Sequence, residues 1–340
     1  MDIDLLTDSY DYNLPKELIA TAPLYPADEA KLLIYDRKSD TITHTLFKHL
    51  LDFLPSKLSV ILNDTKVIKA RIFGKKSSGG KIELLLNKPL LNDEFLVYIR
   101  GKVKIDSKLF FEQNLKVIVK KLNDDGSRVV EFYQDNQKID FEKLISILNQ
   151  IGHIPLPPYI NREDNNQDEK DYQTLFAKNS GSVAAPTASL HFTNELLNKF
   201  KDRFDVKFLT LHVGAGTFKP IEADNILSHT MHSEYYKIDK DTQNLINSNQ
   251  DILAVGTTVT RTIEYFARTK KSFGECDLFL HPQNKPIRVN HLLTNFHLPK
   301  STLIMLVSSF IGRKKTLELY DIAIKENYRF YSYGDAMLII

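Results

Sequence analysis

Between residues 58 and 135 apolar and polar positions alternate in short runs, LSVILN, KVIKARIFG, GKIELLLN, EFLVYIRG, LKVIVKKL and SRVVEFYQ. Turn formers separate them, among them Ser78, Gly79 and Gly80, and later Asn123, Asp124, Asp125 and Gly126. A period of two in segments spaced this regularly predicts a small antiparallel β-barrel. The next stretch, FEKLISILNQIG, puts Phe141, Leu144, Ile145, Ile147 and Leu148 on one helical face, and the proline cluster IPLPPYI marks a boundary after it.

From there the pattern changes to strands alternating with helices: VKFLTLHVG, DILAVGTT followed by a helix through TRTIEYFART, CDLFLHP, TLIMLVSSF, and the helix KKTLELYDIAIKEN. The N-terminal stretch offers a helix start at DYNLP and a strand at KLLIYDRKSD, too little for a domain of its own. The expected architecture is therefore an α/β main domain, residues 1–57 plus 153–340, with an inserted small antiparallel β-barrel domain, residues 58–152. The polar run NREDNNQDEKD before Tyr172 reads as a mobile loop.

Composition narrows the class. At 340 residues, 42% hydrophobic and 26% charged, the chain has a core to build and is neither disordered nor low in complexity. No apolar window reaches the roughly 18 residues of a membrane span. The start Met1, Asp2, Ile3, Asp4 has no signal-peptide pattern, so a cytoplasmic protein with no membrane contact is expected. The single Cys276 can form neither an internal disulfide nor a cysteine-rich zinc site.

The formal net charge of +2 hides an asymmetry. From Lys57 to Lys121 fifteen Lys and Arg face six Asp and Glu, a local balance of +9 that leaves −7 for the rest. A basic barrel within an acidic chain points to a polyanion partner, since Lys and Arg gain by displacing counterions from phosphates. Aromatic residues interleave thinly there, so base stacking is not indicated by the sequence.

Several segments combine small residues with His, Thr and Asn beyond what packing demands: GSVAAPTASLHF, LHVGAGTF, SHTMHSEYY, VGTTVTRTIE and TNFHLPKST. Gly214 and Gly216 follow one predicted strand and Gly256 another, where open α/β sheets bind ligands beyond their strand ends. His229 and His232 have one plausible metal spacing, but no HExxH or paired-Cys motif accompanies them, and no metal is expected. A zinc hydrolase and a non-catalytic RNA-binding protein are the rival classes.

DYNLP, NDTKVIKAR, GHIPLPPYI, DYQTLFA, GSVAAPTASLHFT, LHVGAGTFKP, VGTTVTRTIE, TNFHLPKSTLIMLVSSF and YRFYSYGDAMLI occur in this order. Together they closely resemble the S-adenosylmethionine:tRNA ribosyltransferase-isomerases of queuosine biosynthesis, over nearly the whole chain. Ser189 stands where that family usually carries Gly.

The resemblance implies a transferase that moves and isomerises the ribosyl part of S-adenosylmethionine onto the 7-aminomethyl-7-deazaguanine base at the tRNA wobble position. The product is epoxyqueuosine-tRNA, with adenine and methionine released and S-adenosylmethionine consumed as a cosubstrate. A methyltransferase would instead release S-adenosylhomocysteine. Such chemistry needs a base for the 5′ proton, donors around the ribose and adenine, and exclusion of water. The candidate catalytic residues are His212, Glu234, His232 and His297, with His212 or Glu234 expected near the 5′ carbon. Substrate binding is expected of Thr187, His191, Gly214, Gly216, Thr217, Thr258, Asn295 and Arg261, the last as partner of the methionine carboxylate. The tRNA backbone is expected on Lys69, Arg71, Lys75, Lys76, Lys102 and Lys104, and the default assembly is a monomer.

Overall fold

The computed structural model describes residues 2–218, 221 and 223–340, with Thr217 and Phe218 described as backbone only. The chain divides into two compact units. The first holds the chain up to Thr65, Gln173–Asn179 and Pro186–Ile340; the second holds Lys66–Tyr172 and Ser180–Ala185.

The first unit is built on a nine-stranded mixed sheet. From edge to edge it runs Phe273–Cys276, Glu234–Ile238, Asp205–Leu211, Ser59–Asn63, Ile252–Val255, His291–Asn295, Ala336–Ile339, Lys31–Asp36 and Thr41–Leu46. The four central strands, from Asp205–Leu211 to His291–Asn295, are mutually parallel. Every residue of Ser59–Asn63 is buried, as befits a strand covered on both faces. Alternation along Lys31–Asp36 sends Leu32 and Ile34 to one core, with Phe192, Leu196 and Phe200. Leu33 and Tyr35 go to the other, with Leu306, Tyr320 and Phe330.

The second unit contains a closed barrel of six antiparallel strands: Arg71–Lys76, Lys81–Pro89, Phe95–Arg100, Ser127–Gln134, Leu115–Leu122 and Lys108–Phe110, which pairs back to the first. Ile72, Leu84, Val97, Val117 and Phe132 fill its interior. The helix Phe141–Ile151 is capped by Asp140, whose Oδ1 accepts from Lys143 N at 2.8 Å. It ends at Gly152, where an added Cβ would lie 2.2 Å from the Lys69 carbonyl oxygen.

The fold class, an α/β main unit with a small antiparallel barrel, is as the pattern predicts, and particular elements differ. LSVILN, grouped above with the barrel, is one of the four parallel inner strands of the large sheet; its place in the barrel is taken by the three-residue strand Lys108–Phe110, too short to show a period. TLIMLVSSF is not a strand but the helix Thr302–Ile311, capped by Ser301. A short run that is apolar throughout has no period to separate a buried helix from a buried strand. In CDLFLHP the strand ends at Cys276 and extends towards Phe273 instead, and DYNLP is irregular, with a single 3-10 turn at Lys16–Leu18 after it.

The polar run before Tyr172 is pinned rather than loose. Arg162 grips the buried Asp168 through two hydrogen bonds of 2.6 Å, and Asp164 accepts from His153 Nδ1 and Ile154 N at 2.9 Å each. These contacts lie within the second unit, which runs to Tyr172. Among the described residues no helix is long and apolar enough to cross a membrane.

Candidate active site

The carboxyl ends of the parallel strands carry the polar residues that packing does not require. Strand Glu234–Ile238 runs antiparallel to Asp205–Leu211, with Leu211 opposite Tyr236, so its first residue, Glu234, arrives beside the turn that begins at His212. Glu234 is buried; its Oε1 accepts from Gly214 N at 3.0 Å and its Oε2 from Arg261 Nη1 at 2.6 Å. Arg261, equally buried, gives its remaining bonds to backbone: Nε to the Leu278 carbonyl at 3.0 Å, Nη2 to those of Cys276 at 3.3 Å and His232 at 3.4 Å. A buried ion pair holds only where such bonds replace lost water, and here they tie the strand end, the helix Thr257–Thr269 and the segment before Glu234 into one rigid corner.

This corner borders a narrow cleft, about 30 Å³ in volume, lined by Gly216, His229, His232, Glu234, Thr258, Arg261, Thr257 and Thr302 among others. An added Cβ on Gly216 would lie 2.7 Å from the His232 ring, so the bare backbone there is what lets that imidazole pack. Two helices, Thr257–Thr269 and Thr302–Ile311, present their first residues to the cleft, and neither has an acidic residue in its first turn. Their N-termini carry partial positive charge, which favours an anionic group such as a carboxylate. Thr258 Oγ1 is buried here without a hydrogen-bond partner among the described residues. A larger, shallower hollow at Ser56, Ser59, Asp205 and Lys207 lies at the opposite, amino ends of the parallel strands, away from where such sheets bind ligands.

His212 stands at the same strand end, outside the lining of the cleft. Its Nδ1 and Thr65 Oγ1 share a hydrogen bond of 2.8 Å, its ring stacks on Tyr235 with centroids 5.9 Å apart, and burial lowers its pKa. Asn63 braces this end, donating to the Leu211 carbonyl and accepting from Leu211 N and Thr65 N.

A second polar group forms where strand His291–Asn295 ends. Thr187 Oγ1 donates to Asn295 Oδ1 at 2.9 Å, and Asn295 Nδ2 donates to His191 Nε2 at 3.2 Å. Burial pushes the His191 pKa down to about 4, Arg329 adding to the effect. Ser189, between Thr187 and His191, is buried with its hydroxyl unpartnered among the described residues. This segment packs on the start of the helix Thr257–Thr269, for a Cβ on Gly256 would lie 3.8 Å from Ala188 Cβ and 3.7 Å from Thr258 Oγ1.

His297 joins neither group. Its Nδ1 meets Tyr320 Oη at 3.2 Å, its Nε2 meets Thr294 Oγ1 at 3.2 Å, and Tyr12 Oη donates to its carbonyl. Burial in this aromatic core pushes its pKa down to about 3. The backbone of Thr217 lies in the turn Ala215–Phe218, and its expected substrate contact falls outside the described side chains. His229 and His232 lie on an irregular segment, not a helix, and among the described residues no group of three or more His, Cys, Asp or Glu gathers as a metal-ligand set.

In the second unit Lys69 pairs with Glu169 at 2.5 Å and Arg71 with Glu83 at 2.7 Å. Lys75, Lys102 and Lys104 are exposed, and Lys76 Nζ donates to the Lys102 carbonyl at 3.1 Å.

A family model described as queuosine biosynthesis protein matches residues 7–339. The chain belongs to this family. It is 67% identical over 336 residues, 99% of each sequence, to an S-adenosylmethionine:tRNA ribosyltransferase-isomerase from Aliarcobacter butzleri strain RM4018. To the protein of the same name from Campylobacter jejuni strain RM1221 it is 60% identical over 343 residues, covering all of both. The crystal structure of S-adenosylmethionine tRNA ribosyltransferase from Thermotoga maritima is 33% identical, with a TM-score of 0.54 over 98% of this chain and 100% of that one.

Against this family background, the residues that sequence reasoning passed over are partners of the named ones. Thr65 and Tyr235 orient His212, and Thr302 closes the cleft. Thr65 sits in NDTKVIKAR and Thr302 in TNFHLPKST, so motif membership was the available signal; nothing local marks Tyr235.

Proposed function

We infer that this chain moves and isomerises the ribosyl moiety of S-adenosylmethionine onto the 7-aminomethyl-7-deazaguanine base at the tRNA wobble position, giving epoxyqueuosine-tRNA with release of adenine and methionine. The observation that carries this reading is the family match across residues 7–339. The cleft at the carboxyl ends of the parallel strands supplies the matching geometry: an imidazole and a buried carboxylate beside two helix N-termini.

In this reading S-adenosylmethionine is a consumed cosubstrate whose sulfonium acidifies the neighbouring 5′ C–H. His232 and Glu234 are the candidate proton carriers that line the cleft, Glu234 with its oxygens accepting from Gly214 N and Arg261 Nη1. Arg261 fixes Glu234 and the His232 carbonyl, and the helix starts at Thr257 and Thr302 take the methionine carboxylate. The Thr187, Asn295 and His191 chain offers hydrogen bonds to adenine or ribose. The first unit is then the catalytic domain and the barrel the tRNA-binding one, with the work done by a monomer in the cytoplasm.

The test incubates the purified protein with S-adenosylmethionine and tRNA carrying the 7-aminomethyl-7-deazaguanine base, and quantifies adenine, methionine and the modified nucleoside. Adenine release that depends on that tRNA is the expected result. S-Adenosylhomocysteine with a methylated base would overturn the reading in favour of a methyltransferase.

A further inference from the structure

The outside of the barrel carries an ordered row of cations and rings. In the pairing register Lys81 lies opposite Lys75, Lys75 opposite Phe110, Phe110 opposite Lys116, and Lys116 opposite Tyr133. Side chains alternate between the faces of a strand, and the neighbours Ile82, Leu109, Val117 and Phe132 are buried inside, so the row faces outward. With strands about 4.8 Å apart, Lys81 and Lys116 stand about 14 Å from each other, on either side of Lys75 and the Phe110 ring.

Folding does not account for this arrangement. Like charges directly opposite each other weaken a strand pair, yet Lys75 and Lys81 face each other, exposed and without an ion-pair partner among the described residues. Phe110 leaves 44% of its surface in water. Other lysines of the same unit are paired, Lys69 with Glu169, and Lys120 and Lys138 with Glu131. At the far end of the row the Lys116 ammonium lies 5.2 Å from the Tyr133 ring centroid, extending the same alternation of cation and ring.

We propose that this row is an RNA-contact face, with the ammonium groups of Lys75, Lys81 and Lys116 on backbone phosphates and the Phe110 ring stacked on an unpaired base. Regularly spaced cations around a flat exposed ring match a chain of phosphates that carries π-faces, whereas an acidic protein surface has use for the lysines alone. The proposal rests on the reading above for the identity of the RNA as tRNA. It adds Lys81, Lys116 and Phe110 to the contact and restores the stacking that the sequence did not indicate.

The test measures binding of a fluorescent tRNA transcript to the full-length protein between about 50 and 300 mM salt. The double variant Lys75→Gln and Lys81→Gln should raise Kd about tenfold and lessen the slope of log K against log salt by about 1.5, since each phosphate contact contributes about 0.7–0.9. Phe110→Ala should raise Kd at least about fivefold with the slope unchanged, and Phe110→Tyr should bind as wild type. A wild-type Kd and slope in the lysine variant overturns the proposal. So does a wild-type Kd in Phe110→Ala, which would leave a general surface for acidic partners. The thermal midpoint of the lysine variant, expected to stay level or rise because a repulsion is removed, excludes misfolding as the cause of weaker binding. Wild-type turnover is assayed separately: absent adenine release with binding that responds as described sinks the reaction and supports this face, and normal turnover with indifferent variants does the reverse.

Discussion

At the scale of single residues, this protein places titratable groups where their surroundings decide what they do. His232 occupies the cleft because Gly216 has no Cβ. Gly216→Ala should therefore displace the imidazole and lower the rate of adenine release at least about tenfold, with a thermal midpoint close to wild type; an unchanged rate would remove His232 from the mechanism. Burial holds His191 and His297 neutral in the fold, with pKa values of about 4 and about 3, well below the ordinary imidazole value of 6.5. As pH falls the unfolded chain takes up their protons first, so the stability they contribute is complete above about 6.5 and is lost down to their folded values. At pH 5 each should cost about 2 kcal/mol. Urea unfolding at pH 7 and pH 5 checks this: His297→Gln should flatten the pH dependence by about one proton, and an unaltered slope would show that this imidazole is not the source. His297 is held among aromatic residues, with Tyr320 Oη on its ring and Tyr12 Oη on its carbonyl.

At the scale of elements, helix ends and strand ends hold the geometry of the candidate site. Helix Thr257–Thr269 begins after Gly256, whose φ of +100° lies in the region that favours glycine. Farther along the same helix the buried Glu264 carboxylate accepts the backbone N–H groups of Ile287, Arg288 and Val289 at 2.8 Å each and pairs with Arg268, anchoring the loop that leads into strand His291–Asn295. In the second unit the helix Phe141–Ile151 stops against the Lys69 carbonyl at Gly152. Gly152→Ala should cost several kcal/mol, because backbone must move to admit the methyl group, and should appear as a lower midpoint in chemical unfolding; a wild-type midpoint would mean that this contact yields easily. Helix Thr302–Ile311 shows where element reading stops. Its ten residues are apolar nearly all round, and only the cap at Ser301 distinguishes it from the buried strand it was expected to be.

At the scale of the whole molecule, the basic excess and the candidate cleft belong to different units. The basic excess lies on the barrel segment, and the cleft lies in the nine-stranded unit. Salt should accordingly separate the two substrates. Between about 50 and 200 mM NaCl, kcat/KM for tRNA should fall at least about tenfold, while KM for S-adenosylmethionine changes less than about twofold; parallel losses in steady-state assays would show that one field serves both. Alternation, glycine punctuation and ordered motifs were enough to read the α/β unit, the barrel and the family, because those depend on local periodicity and on short segments met in order. The membership of Ser59–Asn63 in the central sheet depended on pairing with Asp205–Leu211 and Ile252–Val255, far along the chain. The same holds for the site. Residue types nominated His232, Glu234 and Arg261 alongside His297 and His212, but only the tertiary structure paired Glu234 with Arg261, set His232 in the cleft and left His297 among tyrosines. Spacing along a chain carries no information about which side chains meet once strands from distant segments come into register.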